Sequence, residues 1–270
     1  MLVSIHMPKT GGTSFGEILK ASFDKILWIS GRQGILDFLQ MSPEERCSYP
    51  AAAGHMPFGL GDYVSVACQY VVFLREPVDH TISAYYYVLN TPSNPQHARA
   101  SNMTLREYVE SDIWWINDNQ QTRRLASYDW TEAINNPPKN WNRASPCDAE
   151  LLRQSKANLD CCYFVGLYER YEESVRACCE RFGLKCPEIP YLNSTPGRPA
   201  VRDIEPEVLE VIRERRRFDI ELYEHALRRF ESLTASRDKP RPLRLSGTAI
   251  PRGLRVSSRN PLPRSSSETA

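Results

Sequence analysis

Two short segments hold the residue types needed to grip phosphate-like anions. His6-Met-Pro-Lys-Thr-Gly-Gly-Thr-Ser14 places a lysine, two glycines and three hydroxyl residues directly after an apolar run. Glycines permit a tight turn, and a helix that starts there aims backbone N–H groups and its positive end at an anion. Lys9 adds a mobile positive charge, and Thr10, Thr13 and Ser14 add hydroxyl donors beside Gly11 and Gly12. The second segment, Leu74-Arg-Glu-Pro-Val-Asp-His-Thr-Ile-Ser-Ala-Tyr-Tyr86, puts Arg75 at the end of a bulky apolar run. Ser83 follows it by about two helical turns. A guanidinium fork with a nearby hydroxyl suits a second, separate phosphate.

The first loop differs from that of nucleotide triphosphatases, G-x-x-x-x-G-K-[ST], in which lysine follows the second glycine and a hydroxyl meets magnesium. Here Lys9 precedes both glycines, and no glycine occurs in residues 1–10. Between the two segments lies Gly54-His-Met-Pro-Phe58, whose His55 has an ordinary pKa suited to a general base. His80, inside the second segment, and Glu17, one turn into the first helix, are the poorer candidates for that role. Asn117-Asp-Asn-Gln-Gln-Thr-Arg-Arg-Leu125 offers Asn119, Gln120 and Arg123 at helical spacing for hydroxyl groups of a substrate, or as a solvated helix face. Trp114, Trp115, Tyr85 and Tyr86 suit either stacking on a sugar ring or core packing.

Together the two anion segments resemble the PAPS-dependent sulfotransferase superfamily, PAPS being 3′-phosphoadenosine-5′-phosphosulfate. H-x-P-K-T-G-G-T-S is similar to the carbohydrate branch, which contains the heparan sulfate O-sulfotransferases and their bacterial relatives. The resemblance implies that Lys9, Thr10, Gly11, Gly12, Thr13 and Ser14 hold the 5′-phosphosulfate, and that Arg75 and Ser83 hold the 3′-phosphate. Glu76 departs from the aspartate usual after that arginine. By the same resemblance His55 is the base on an acceptor hydroxyl, with Lys9 assisting catalysis. Asn119, Gln120 and Arg123 fall in a segment similar to N-x-Q-T-R-x-L. Arg198, in the Leu192–Arg198 loop, is a candidate on the nucleotide side. The implied reaction moves a sulfuryl group from PAPS to a carbohydrate or related hydroxyl by in-line displacement, without a metal. A nucleotide-dependent phosphotransferase and a non-catalytic binding module of the same fold are the alternatives.

These side chains need a scaffold, and the chain alternates short apolar runs with helix-like stretches, the pattern of a parallel sheet with crossover helices. Residues 2–6, 25–29, 69–74 and 162–167 read as strands. The uncharged run at 69–74 is the one best suited to burial on both faces. Phe15, Ile18, Leu19 and Phe23 share one face of the helix after the first loop, and Pro77 opens another that runs to about Leu89. Helices are expected near 104–111, 117–126, 148–158, 170–182 and 205–232. The predicted fold is α/β, a three-layer P-loop-type arrangement with a central parallel sheet flanked by helices. Residues 1–232 form the sulfotransferase domain and 233–270 a disordered basic Pro/Arg/Ser-rich tail.

The overall charge of +1 gives no reason to expect nucleic acid as a partner. It averages a tail of about +6, rich in arginine from Arg237 to Arg264, with a remainder near −5. A positive anion site must therefore be built locally. No apolar run is long enough to span a membrane, and Leu2–His6 is too short for a signal peptide. This gives the expectation of a cytoplasmic protein, although removal of a leader would leave the same sequence. The eight cysteines include no C-x-x-C spacing, which points to free, mostly buried thiols rather than a metal site.

Overall fold

The computed structural model describes residues 1–111, 118–126, 130, 147–186 and 195–235. Trp114, Trp115, Asn117, the first part of the 192–198 loop and the tail beyond residue 235 lie outside this set.

Five parallel strands form one sheet: β1 (Leu2–Ile5), β2 (Ile26–Trp28), β3 (Ala51–Gly54), β4 (Gln69–Leu74) and β5 (Phe164–Leu167), in the order β2-β3-β1-β4-β5. Every residue of β1, β3 and β5 is buried, so helices cover both faces and the three-layer α/β expectation is met. β1 lies between β3 and β4, with Ile5 level with Gly54 on one side and Val72 on the other. The ends of these strands therefore open at one edge, where parallel sheets bind ligands. β3 escapes pattern reading because Ala-Ala-Ala-Gly has none of the β-branched or aromatic residues that mark strands. Its small side chains suit close packing, and an added Cβ at Gly54 would stand 1.9 Å from the Ile29 carbonyl oxygen.

The helices are α1 (Gly12–Ser22), α2 (Gly31–Gln40), α3 (Pro43–Cys47), α4 (Pro77–Leu89), α5 (His97–Ala100), α6 (Leu105–Glu110), α7 (Gln120–Leu125), α8 (Ala149–Cys161), α9 (Tyr171–Phe182), α10 (Pro206–Arg215) and α11 (Arg217–Ala235). α1 turns Phe15, Ile18 and Leu19 into the main core, as its periodicity predicts. The expected single helix over 205–232 is instead two, α10 and α11, joined at Arg216. Arg216 is 1% exposed there and donates through Nε to Thr81 Oγ1 at 3.0 Å. The break lets α10 pack in a second core with α4 and α6, built on Val78, Ile82, Tyr85, Tyr108, Val208 and Ile212. Tyr85 belongs to that core. All eight cysteines are free thiols, four of them buried, so burial is less general than the sequence suggests.

Candidate active site

β1 ends at Ile5, and the chain crosses the strand ends to enter α1. Two residues there have left-handed backbone, Lys9 at φ 63° and Gly11 at φ 80°. A side chain on Gly11 is barred twice, since its Cβ would also lie 2.4 Å from the Tyr171 ring. Tyr171 donates its hydroxyl to the Gly11 carbonyl at 2.8 Å. Thr10 is buried and donates to the Met7 carbonyl at 2.9 Å, so its side chain closes the turn. The ring of His80 meets the Pro8 carbonyl at 2.8 Å. A carbonyl only accepts, so His80 Nε2 carries the proton and donates. These contacts hold a turn whose exposed polar groups are those at the start of α1.

Arg75 stands one residue beyond β4 and is 4% exposed. Its guanidinium donates to Asp79 Oδ2 through Nε and Nη2 at 2.8 and 2.6 Å. Nη1 reaches the Lys9 carbonyl at 2.8 Å and Ser83 Oγ at 3.0 Å. The guanidinium also lies over the Tyr168 ring, 4.1 Å from its centroid. Arg75 thus joins the two anion segments directly. Asp79 also accepts from both terminal nitrogens of Arg198, so one carboxylate holds two guanidinium groups. These neighbours hold the Asp79 carboxyl below its ordinary pKa against the opposing effect of burial.

Lys9 Nζ sits over the Tyr87 ring at 4.2 Å. Burial, followed by the charges of Arg75 and Arg198, lowers its pKa to about 8. Across the turn, His55 Nδ1 lies 3.0 Å from the His6 carbonyl. Nδ1 must be the donor, which leaves Nε2 with a lone pair, the form a general base requires. Burial and then Arg124 lower the His55 pKa to about 4, opposed by the bond to the His6 carbonyl.

A cavity of about 1050 Å³ opens over this edge of the sheet. Lys9, Gly11, Gly12, Thr13, His55, Arg75, Ser83 and Arg198 all line it. Thr10 and Ser14 are buried behind the turn instead. The substrate expectation for Asn119, Gln120 and Arg123 meets a different placement, because none of the three lines the cavity and all are buried. Asn119 Oδ1 accepts from the backbone N–H groups of Phe218 and Asp219 at the start of α11. Arg123 pairs with Asp118. The segment works through its neighbours. Gln121 brackets the Arg75 backbone, accepting from its N–H at 3.0 Å and donating to its carbonyl at 2.8 Å. Thr122 is held by the fully buried Asp219. Arg124, next in the chain, does line the cavity.

Sequence reasoning also missed Asp79, Tyr168 and Glu169 in the lining. Asp79 could have been found, because four residues along a helix from Arg75 is salt-bridge spacing. Tyr168 and Glu169 follow β5 directly, the position that drew attention to Arg75 after β4.

This edge of the sheet therefore gathers the Lys9 turn, Arg75 with Ser83 and Arg198, and the His55 imidazole around one cavity. A family model described as the sulfotransferase family matches residues 1–226, and the chain belongs to that family. It is an enzyme of sulfuryl transfer. Among solved structures the chain is similar to mouse sulfotransferase SULT7A1 complexed with PAP, at 13% identity, with 88% of each chain covered and a TM-score of 0.28. No curated protein matches it. No helix among the described residues is long and apolar enough to cross a membrane. No cluster of His, Cys, Asp and Glu suited to a metal occurs among them either.

Proposed function

We propose that the chain transfers the sulfuryl group of PAPS to a hydroxyl of a carbohydrate or related alcohol. The observation that carries this is the Arg75–Asp79–Arg198 cluster standing beside Ser83 and the Lys9 turn in one cavity. Two guanidinium groups already converge on a carboxylate, and a phosphate presents the same acceptor chemistry with more charge. The start of α1 offers backbone N–H groups and Thr13 for a second anion at the distance a loop crossing sets. In this reading Lys9, Gly11, Gly12 and Thr13 hold the 5′-phosphosulfate, with Thr10 and Ser14 supporting the turn. Arg75, Ser83 and Arg198 hold the 3′-phosphate. When bound, PAPS supplies an activated sulfuryl group on a good leaving group.

The protein's own part is positioning and electrostatics. His55 Nε2 accepts the proton of the acceptor hydroxyl while Nδ1–H stays on the His6 carbonyl. Lys9, charged in the presence of phosphate, opposes the negative charge that grows on the departing oxygen. The anionic donor also offsets the burial that depresses His55, raising its basicity where it is needed. The carbohydrate-branch pattern of the first loop supports a glycan or glycoconjugate as the acceptor. The test is turnover of labelled PAPS with a panel of neutral and acidic oligosaccharides. The expected result is label transfer by the wild type and a loss of 100-fold or more, on the order typical of a general base, in His55→Ala with PAP affinity retained. Unchanged turnover in His55→Ala would remove the base assignment.

A further inference from the structure

His6 is an imidazole in the cavity wall to which the mechanism above gives only a carbonyl. Its backbone N–H bonds the Gly54 carbonyl at 2.9 Å, tying the end of β1 to the end of β3. Its ring stacks on that of His55, with centroids 4.2 Å apart and planes 25° from parallel. The Cδ2–Nε2 edge of His6 lies against Gly12, the first residue of α1. A Cβ built on that glycine would stand 1.9 Å from Cδ2 and 2.1 Å from Nε2. Both rings and the glycine line the same cavity. The residue is therefore fixed through its backbone and the ring face stacked on the base, with one ring edge at the head of α1.

Burial, then His55 and then Arg124, lower the His6 pKa to about 3, so the ring is neutral in the working range. A neutral imidazole has one N–H donor and one acceptor. Beside a helix N-terminus such a ring polarises an oxygen without transferring its proton, as neutral histidines do in other enzymes. Charge on the oxygens of a transferring group is what a preorganised donor at this position would meet.

We infer that His6 is a second catalytic imidazole, which donates a hydrogen bond from its Gly12-facing edge to the sulfuryl oxygens of the bound donor while His55 takes the acceptor proton. The inference rests on the PAPS reading above. It assigns the stacked pair two tasks: one ring for the group that moves, the other for the hydroxyl that receives it. It also explains the need for glycine at position 12, since any side chain there would displace the ring.

The test separates the sulfuryl group from the rest of the donor, because PAP lacks it and PAPS has it. Calorimetric titrations of both, without acceptor, are made on the wild type, His6→Ala and His6→Gln. His6→Ala is expected to weaken PAPS about tenfold or more, the effect of losing one hydrogen bond to a charged group. PAP affinity should stay within about twofold, and His6→Gln, which supplies an N–H, should recover most of the PAPS affinity. A second readout needs no variant: the ¹⁵N shifts of the His6 ring should move on adding PAPS and much less on adding PAP. Equal weakening of PAP and PAPS in His6→Ala would show that the ring only supports the turn, and would overturn the inference. Unchanged PAPS affinity, or ring shifts identical with the two ligands, would do the same. Failure of the wild type to bind either ligand brings down the donor assignment itself, which is a separate and recognisable result.

Discussion

If Lys9 holds the donor as proposed, binding depends on pH in a window set by the structure. Burial and the nearby Arg75 and Arg198 bring its pKa down to about 8. A phosphate group bound beside it favours the charged form, so the pKa in the complex is higher than in the free protein. Binding above pH 8 must then take up a proton. At pH 7 the free lysine is mostly charged and the cost is negligible. At pH 9, one unit above its pKa, about nine-tenths of the lysines are neutral. Charging them costs about 1.4 kcal/mol, a factor of about ten in affinity. The second ionisation of the phosphates has its midpoint near pH 6, so it is about nine-tenths complete at pH 7 and adds little slope in this range. The assay is calorimetric titration of PAP at pH 7, 8 and 9 in buffers of different ionisation enthalpy. The wild type should bind about tenfold more weakly at pH 9 than at pH 7 and take up about 0.9 proton per PAP at pH 9. Lys9→Arg, charged throughout, should show no such slope. A flat wild-type profile, or the same slope in Lys9→Arg, would refute the reasoning.

Three other outcomes follow from the same geometry. Gly12→Ala forces a Cβ into the His6 ring, which the stacked His55 keeps from retreating, so the variant should lose about 1–3 kcal/mol of stability and most of its turnover. Thermal unfolding and a transfer assay check both. Gln121→Leu leaves the buried N–H and carbonyl of Arg75 without their partner, which should cost about 1–3 kcal/mol and weaken PAP although Gln121 touches no ligand. Unchanged PAP affinity would exclude the buttress role. His6 and His80 are lowered to about 3 and His55 to about 4, chiefly by burial. At these three positions the folded protein therefore binds fewer protons than the unfolded chain below pH 6.5. Their contribution to stability is fully present above that pH and declines as pH falls toward 4, by at most about 1.4 kcal/mol per unit for each histidine. Urea midpoints at pH 7.5 and 5 measure it, and equal midpoints would contradict it.

That Lys9, Gly11, Gly12, Thr13, Arg75 and Ser83 stand around one cavity was legible because the segments carrying them are local in sequence. A turn, a helix start and a lysine lie within nine residues, and Arg75 and Ser83 share one strand–helix unit. The apolar runs likewise gave four of the five strands. What escaped was whatever depends on packing between distant segments. β3 has no propensity signal, and its place beside β1 comes from the space its alanines leave. Polar residues at helical spacing in α7 read as a ligand surface. Their burial against α11 depends on Asp219, about 100 residues away, and that distance is invisible to a local pattern. The pairing of His6 with His55 has the same origin, since the two residues stand at the ends of adjacent strands β1 and β3. Arg216 reads as one more charge in a long helix, but its burial beside Thr81 accompanies the break that makes two helices.

The most direct measurement of the central claim is a calorimetric titration of the purified protein with PAP, set against ATP with magnesium, in the wild type, Lys9→Ala and Arg75→Ala. PAP should bind tightly, ATP with magnesium weakly, and both variants should lose PAP affinity. Preference for ATP with magnesium, or PAP binding that survives both substitutions, would contradict it.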